Sequence, residues 1–242
     1  MIPNYFIIDF DSTFISKESL DELASYTLRK SKTKNIILNK IHTLTNDGMN
    51  GKITFYDSIN TRLKLINATK NDVLVVSNNL KSYVTHSFKR NKNFIKKYSN
   101  RIYIISGGFK EMLVPVLADF GIQESNIFGN EFIYDGDKII GFNTNNPLAK
   151  IDGKSQIVES LKLDGEIHCI GDGYNDFQLK LLGSVSKFIA FTENVYRNEV
   201  CNVADKVISS LDEYIDFLND WTILIIVLIN YGSASASEIV AG

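Results

Sequence analysis

The sequence predicts an α/β protein: a Rossmann-like three-layer α/β/α core on a parallel sheet, with a small helical module inserted after the first strand. Three observations carry this. A short apolar run at residues 5–9 has the length and composition of a buried strand. Residues 18–98 show helical periodicity and no convincing alternation. From Arg101 onward, short apolar strands alternate with helix-length segments across short joins, the texture of a doubly wound sheet.

In chain order, the first strand gives way to a helical stripe of Leu20, Leu23, Ala24 and Leu28. Ile36, Ile37, Ile41 and Leu44 mark a second helix, expected to stop at Asn46-Asp47-Gly48. Phe55, Ile59, Leu63 and Ile66 mark a third, and residues 72–97 supply one or two more. Ile102 to Ile105 reads as a strand ending at Ser106-Gly107-Gly108, followed by a helix over 110–120 that Gly121 closes. Two short strands are expected within 128–142, around the hairpin signal Asp135-Gly136-Asp137. A helix over 154–161, a strand over 167–170 and a helix over 177–182 follow. Strands at 188–191 and 207–208 and a helix over 211–218 complete the pattern. The division expected is a catalytic core at 1–15 and 99–218, a helical module at 16–98, and a tail at 219–242 to which no role is assigned.

Composition narrows the class. With 242 residues, 44% hydrophobic and 22% charged, the chain has enough apolar material for a sizeable core. A net charge of −2 gives no reason to expect nucleic acid or an acidic membrane as partner. The basic residues Lys89, Arg90, Lys92, Lys96 and Lys97 read as a solvated helix face. Cys169 and Cys201 have no metal-type spacing, and no signal peptide or spanning segment is visible, so a cytoplasmic setting is expected. Oligomeric state is not legible.

Chemistry concentrates where strands end. At the close of the first strand, Asp9 and Asp11 stand one residue apart, followed by Ser12 and Thr13. Desolvated carboxylates repel each other, so such a pair is usually accompanied by a cation. The strand at 167–170 runs into Gly171-Asp172-Gly173-Tyr174-Asn175-Asp176, which adds two further acids. Lys154 lies at a helix start, where its charge opposes the helix dipole; an anion there would find both the dipole and an ammonium. In parallel sheets ligands bind at the carboxyl ends of strands, and that is where these residues fall.

Taken in order, Asp9-Phe10-Asp11-Ser12-Thr13, Ser106-Gly107-Gly108-Phe109, Gly153-Lys154 and Gly171-Asp172-Gly173-Tyr174-Asn175-Asp176 resemble the haloacid dehalogenase superfamily of phosphatases, and within it the phosphoserine phosphatases. The resemblance covers about residues 4–218. It implies Asp9 as nucleophile and Asp11 as general acid and base. It implies Mg²⁺ held by Asp9, Asp172 and the main-chain carbonyl of Asp11, with Asp176 acting through water or orienting the ligands. Ser106, Gly107 and Lys154 would hold the phosphoryl group, and Asn175 would orient Lys154 or the substrate. The helical module would be the family's cap, with Glu18 meeting a substrate ammonium, Arg62 its carboxylate, and Met49 and Phe55 an apolar wall. The substrate implied is a small phosphomonoester, O-phospho-L-serine, hydrolysed in the last step of serine biosynthesis. Two alternatives stay open: another phosphomonoester or an alcohol acceptor such as homoserine, and a phosphate-binding regulator without turnover.

Overall fold

The structure is a computed structural model that describes residues 2–49 and 52–220, of Met49 only the backbone. The apolar run at 221–231 lies outside the described residues. The strands are β1 (Tyr5–Ile8), β2 (Ile102–Phe109), β3 (Ile127–Asn130), β4 (Phe132–Asp135), β5 (Lys138–Phe142), β6 (Ile167–Gly171), β7 (Lys187–Phe191) and β8 (Lys206–Ile208). Six of them form one parallel sheet in the order β3-β2-β1-β6-β7-β8. From β1 the chain steps outward to β2 and β3, then returns to β6 on the other side. The order therefore reverses between β1 and β6, the point at which such sheets open a crevice at their carboxyl ends. The antiparallel hairpin of β4 and β5 stands apart as a two-stranded sheet.

Both faces of the sheet are covered, so its strands are continuously apolar rather than alternating. Phe6, Ile8, Ile104, Ile170 and Ile189 pack into one core cluster, while Ile7, Ile105, Cys169, Phe188 and Ala190 pack into the other. This is the two-residue side-chain period of a strand read on both faces. Each fully buried Ile or Phe among them contributes about 1.5–3 kcal/mol relative to exposure.

Between β1 and β2 lie α1 (Ser19–Thr27), α2 (Lys34–Met49), α3 (Phe55–Ile66), α4 (Lys70–Leu80), α5 (His86–Arg90) and α6 (Lys92–Tyr98). Thr54 caps α3 by accepting from the Asp57 amide, and Thr69 and Asp72 form a reciprocal capping box on α4. The insert packs into the same core as one sheet face, through Phe14, Leu23, Ile59, Leu80 and Phe88. After β2 come α7 (Lys110–Leu117), α8 (Gly153–Leu161), α9 (Tyr174–Leu181), α10 (Asn198–Cys201) and a helix over 211–220. Among the described residues no helix is long and apolar enough to cross a membrane.

Three local expectations are corrected. The second helix does not stop at Asn46-Asp47-Gly48 but continues to Met49. Gly48 is there for packing: a Cβ on it would lie 2.9 Å from Ser58 Oγ, and that hydroxyl donates to the Leu44 carbonyl at 2.8 Å. β2 does not end at Ser106 but runs through both glycines to Phe109, rejoining β3 at Asn130 after a register shift. The region 128–142 gives two hairpin strands, yet its start belongs to β3 of the main sheet.

Candidate active site

Asp9 immediately follows β1, and its amide donates to the Ile170 carbonyl at 3.0 Å. The ladder to β6 therefore persists one residue past the strand and fixes Asp9 at the mouth of the crevice. The chain then makes a wide turn over Phe10–Phe14, with Asp11 extended and Ser12 left-handed at φ 56°. A left-handed non-glycine residue costs roughly 1–3 kcal/mol and persists only where its surroundings hold it. Here the Ser12 amide donates to the Lys17 carbonyl at 3.2 Å, while Phe10 and Phe14 are stacked in the core.

The kink separates the two acids. Asp11 turns toward the insert, where its carboxyl accepts from the Ser19 amide at 2.9 Å and the Ser19 hydroxyl at 3.0 Å. A Cβ on Gly108 would lie 3.0 Å from Asp11 Oδ2, so the second glycine of the β2 extension makes room for this acid. Burial, then the neighbouring Glu18 and Asp9 charges, push the Asp11 carboxyl well above the usual carboxylate range.

Asp9 turns the other way. Lys154 Nζ donates to Asp9 Oδ1 and to Asp176 Oδ1, each at 2.6 Å. Its helix can start there because Gly153 lacks a Cβ, which would lie 2.1 Å from the Pro147 carbonyl oxygen. Burial pulls the Lys154 ammonium down, but the Asp176 and Asp9 carboxylates outweigh it and hold it charged. One N–H of the ammonium remains for a third acceptor. Asp172, at the end of β6, accepts from Thr13 Oγ1 on one oxygen and from Arg197 Nε on the other, each at 3.1 Å.

Oxygen atoms of Asp9, Asp172 and Asp176 all lie within 4.8 Å of one another. Burial raises the carboxyls of Asp9 and Asp172, with further contributions from the neighbouring acids, Asp176 among them. A set of hard oxygen donors carrying excess negative charge suits a divalent cation of the Mg²⁺ type. Asp176, expected to act at one remove, stands in the cluster itself.

The residues expected to hold phosphate line the same cavity. Ser106 is fully buried, and its Oγ accepts from the Gly108 amide at 3.0 Å. A Cβ on Gly107 would lie 2.7 Å from the Phe55 ring, so the insert closes directly over bare backbone. From the insert, Glu18 accepts from the Ser12 hydroxyl at 2.7 Å, and burial pushes its carboxyl up to about 7. Arg62 is buried; its Nη1 donates to Thr45 Oγ1 at 2.8 Å and Asp21 Oδ1 at 3.3 Å, while its Nε is buried with no hydrogen-bond partner. Asn175 is exposed at the rim. The Met49 side chain lies outside the described residues.

All the remaining expected residues line a single cavity of about 1340 Å³: Asp9, Asp11, Ser106, Gly107, Lys154, Asp172, Asn175 and Asp176 from the core, and Glu18, Phe55 and Arg62 from the insert. Three contributors were not anticipated. Thr13 lies in the first motif, and its spacing from Asp9 was the available signal. Ser19 follows Glu18 and reads simply as a helix start. Arg197 sits 25 residues beyond its partner in a loop, with no local pattern to mark it.

Comparison with known proteins agrees with this geometry. Residues 6–179 match the family described as haloacid dehalogenase-like hydrolase. The phosphoserine phosphatase of Drosophila melanogaster is 30% identical over 210 residues, which are 85% of this chain and 74% of that protein. That of Bos taurus is 26% identical over 217 residues, 88% of this chain and 92% of its own. A crystal structure of a phosphoserine phosphohydrolase-like protein from Francisella tularensis superposes with a TM-score of 0.78 at 32% identity, covering 88% of this chain and 99% of that one. A phosphoserine phosphatase solved as a phospho-aspartyl intermediate analogue gives a TM-score of 0.70 at 22% identity, over 90% of this chain and 99% of that one, and speaks for the fold.

Proposed function

The chain belongs to the haloacid dehalogenase-like hydrolase family, and we propose that within it the protein is a Mg²⁺-dependent phosphatase hydrolysing O-phospho-L-serine to L-serine and phosphate. The observation that supports this most is the shared cavity: phosphoryl-transfer residues form its core side, and Glu18 and Arg62 reach it from the insert. An acid and a guanidinium together suit a zwitterion, since one accepts from an ammonium and the other grips a carboxylate.

Asp9, Asp172, Asp176 and the Asp11 carbonyl would hold Mg²⁺, which when bound neutralises charge on the phosphoryl oxygens. The chain's own residues do the rest. Lys154 and the Ser106 hydroxyl bind the phosphoryl oxygens, and Lys154 also damps repulsion between Asp9 and the incoming dianion. Asp9 Oδ attacks phosphorus, and the bond from phosphorus to the serine oxygen breaks. Asp11 delivers its proton to that oxygen, a role suited to a carboxyl that burial shifts upward, toward its neutral form. Asp11 then takes a proton from water, the oxygen attacks the aspartyl phosphate, and Asp9 and phosphate are released.

The test is phosphate release with Mg²⁺ from L-phosphoserine against a panel of sugar phosphates, nucleotides and other small phosphomonoesters, with and without homoserine as acceptor. Phosphoserine is expected to have the highest kcat/KM. A higher value for another ester moves the assignment to that substrate, and no turnover of any ester overturns the catalytic reading.

A further inference from the structure

We propose that Asn194 is a positioning residue that fixes the helical insert over the catalytic turn, from a place outside the cavity. It lies in the loop after β7, and its side-chain amide nitrogen is within hydrogen-bond reach of four oxygens. These are Thr85 Oγ1 at 2.7 Å and the carbonyls of Ser12, Thr13 and Ile15 at 3.1, 3.2 and 3.4 Å. Thr85 Oγ1 in turn donates to the Thr13 carbonyl at 2.8 Å. Two N–H groups are thus shared among the oxygens of both chain crossings between core and insert.

Those crossings are also paired with each other. Ile15 and Val84 form an antiparallel bridge, the Thr85 amide donates to the Phe14 carbonyl at 3.0 Å, and the Ser16 amide donates to the Tyr83 carbonyl at 2.8 Å. The kink that turns Asp11 away from Asp9 gathers the carbonyls of Ser12, Thr13 and Ile15 on one side. Like dipoles gathered this way repel unless a donor stands among them, and a buried carbonyl left without one costs about 1–3 kcal/mol. The same loop also reaches the returning crossing, where Glu193 accepts from the Ser87 amide at 3.1 Å, and the acid cluster, where Arg197 donates to Asp172.

The consequence is geometric. Glu18 and Ser19 follow the first crossing within three or four residues of Ile15, and they contact Ser12 and Asp11. A shift of about 1 Å in a positioned group can cost on the order of a hundredfold in rate. Asn194 is not among the residues lining the cavity, so its effect passes through where the crossings sit.

The inference rests on the reading that the insert carries the groups selecting the substrate, and two measurements on full-length Asn194→Ala and Asn194→Asp separate it from that reading. The first is amide hydrogen exchange at Ser16 and Thr85, with Ile7 and Cys169 in the sheet as controls. Exchange at the crossings is expected to rise about tenfold in the alanine variant, the loss of roughly one net hydrogen bond, and further in the aspartate variant, whose carboxylate faces carbonyls. The sheet amides are expected to be unmoved. Unchanged crossings, or an aspartate variant no worse than alanine, overturns the proposal whatever the substrate is. The second is kcat/KM for phosphoserine against p-nitrophenyl phosphate. A fall of about 30-fold on the first and less than about threefold on the second is expected from a misplaced insert. Equal falls overturn it. If the unmodified protein leaves phosphoserine intact, the substrate reading fails and hydrogen exchange still decides. Should Asn194→Ala not fold, Thr85→Val removes the shared hydroxyl and is read in the same two ways.

Discussion

Replacing Arg62 with alanine should damage the enzyme only toward substrates that carry a carboxylate. In the free protein the guanidinium is held by Thr45 at 2.8 Å and Asp21 at 3.3 Å, with its Nε buried and unpartnered. Arg62 lines the cavity, and a guanidinium there can grip a carboxylate bidentately. Removing one partner of a buried, hydrogen-bonded charge pair costs about 2–5 kcal/mol. At about 1.4 kcal/mol per tenfold, that is a fall of about 30- to 5,000-fold in kcat/KM for phosphoserine. The free protein should lose less, because Asp21 keeps partial contact with water and can be solvated when the guanidinium is gone. The control is phosphoethanolamine, which is phosphoserine without its carboxylate. Measuring both esters on both proteins gives a cycle whose coupling term isolates the guanidinium–carboxylate contact. The variant should treat the two esters nearly alike, its loss falling on phosphoserine. Equal proportional losses on both esters would refute a carboxylate contact and leave Arg62 as a strut between α3, Thr45 and Asp21.

Two other expectations follow from the acid cluster. A Cβ on Gly171 would lie 2.2 Å from Asp176 Oδ2, so Gly171→Ala should displace the acid that shares Lys154 with Asp9. Mg²⁺ affinity measured by calorimetry should fall about 10- to 100-fold, the usual cost of disturbing the support of a metal site; a folded variant with unchanged affinity removes Asp176 from the cluster's function. The second concerns pH. Asp9, Asp11, Asp172 and Glu18 are all raised by burial, Glu18 from 4.5 to about 7. Between those values the folded state binds more protons than the unfolded chain, so stability falls as pH rises. The melting temperature of metal-free protein should therefore drop from pH 4.5 to pH 7, and Mg²⁺ should oppose the drop while releasing protons. A melting temperature that climbs over this range without metal contradicts the burial of these acids.

Much of the site was legible because its residues sit next to abrupt changes in texture. Asp9 and Asp172 follow apolar strand runs, and Lys154 begins a helix, so the strand order alone brings them to one edge. The resemblance then supplied roles that no spacing could. What stayed hidden depends on packing between distant segments. Gly48 signals a helix stop locally, but the close approach of α3 makes it a packing glycine. Ser106-Gly107-Gly108 signals a strand end, yet β2 runs through it, pairing with β3 before it at Ile105 and after it at Phe109, while Phe55 and Asp11 use the space the missing side chains leave. Arg197 and Asn194 act on Asp172 and the catalytic turn from a loop whose position only the sheet order determines.

Asp9 and Asp11, one residue apart, are held by different partners, Asp9 by Lys154 and Asp11 by Ser19, and the proposed mechanism gives them different tasks. The most direct test is to react Asp11→Asn with phosphoserine and Mg²⁺, quench in acid, and map phosphoryl adducts by mass spectrometry. An adduct on Asp9 and slowed release of serine and phosphate are expected. Unimpaired turnover, or an adduct on any other residue, would contradict it.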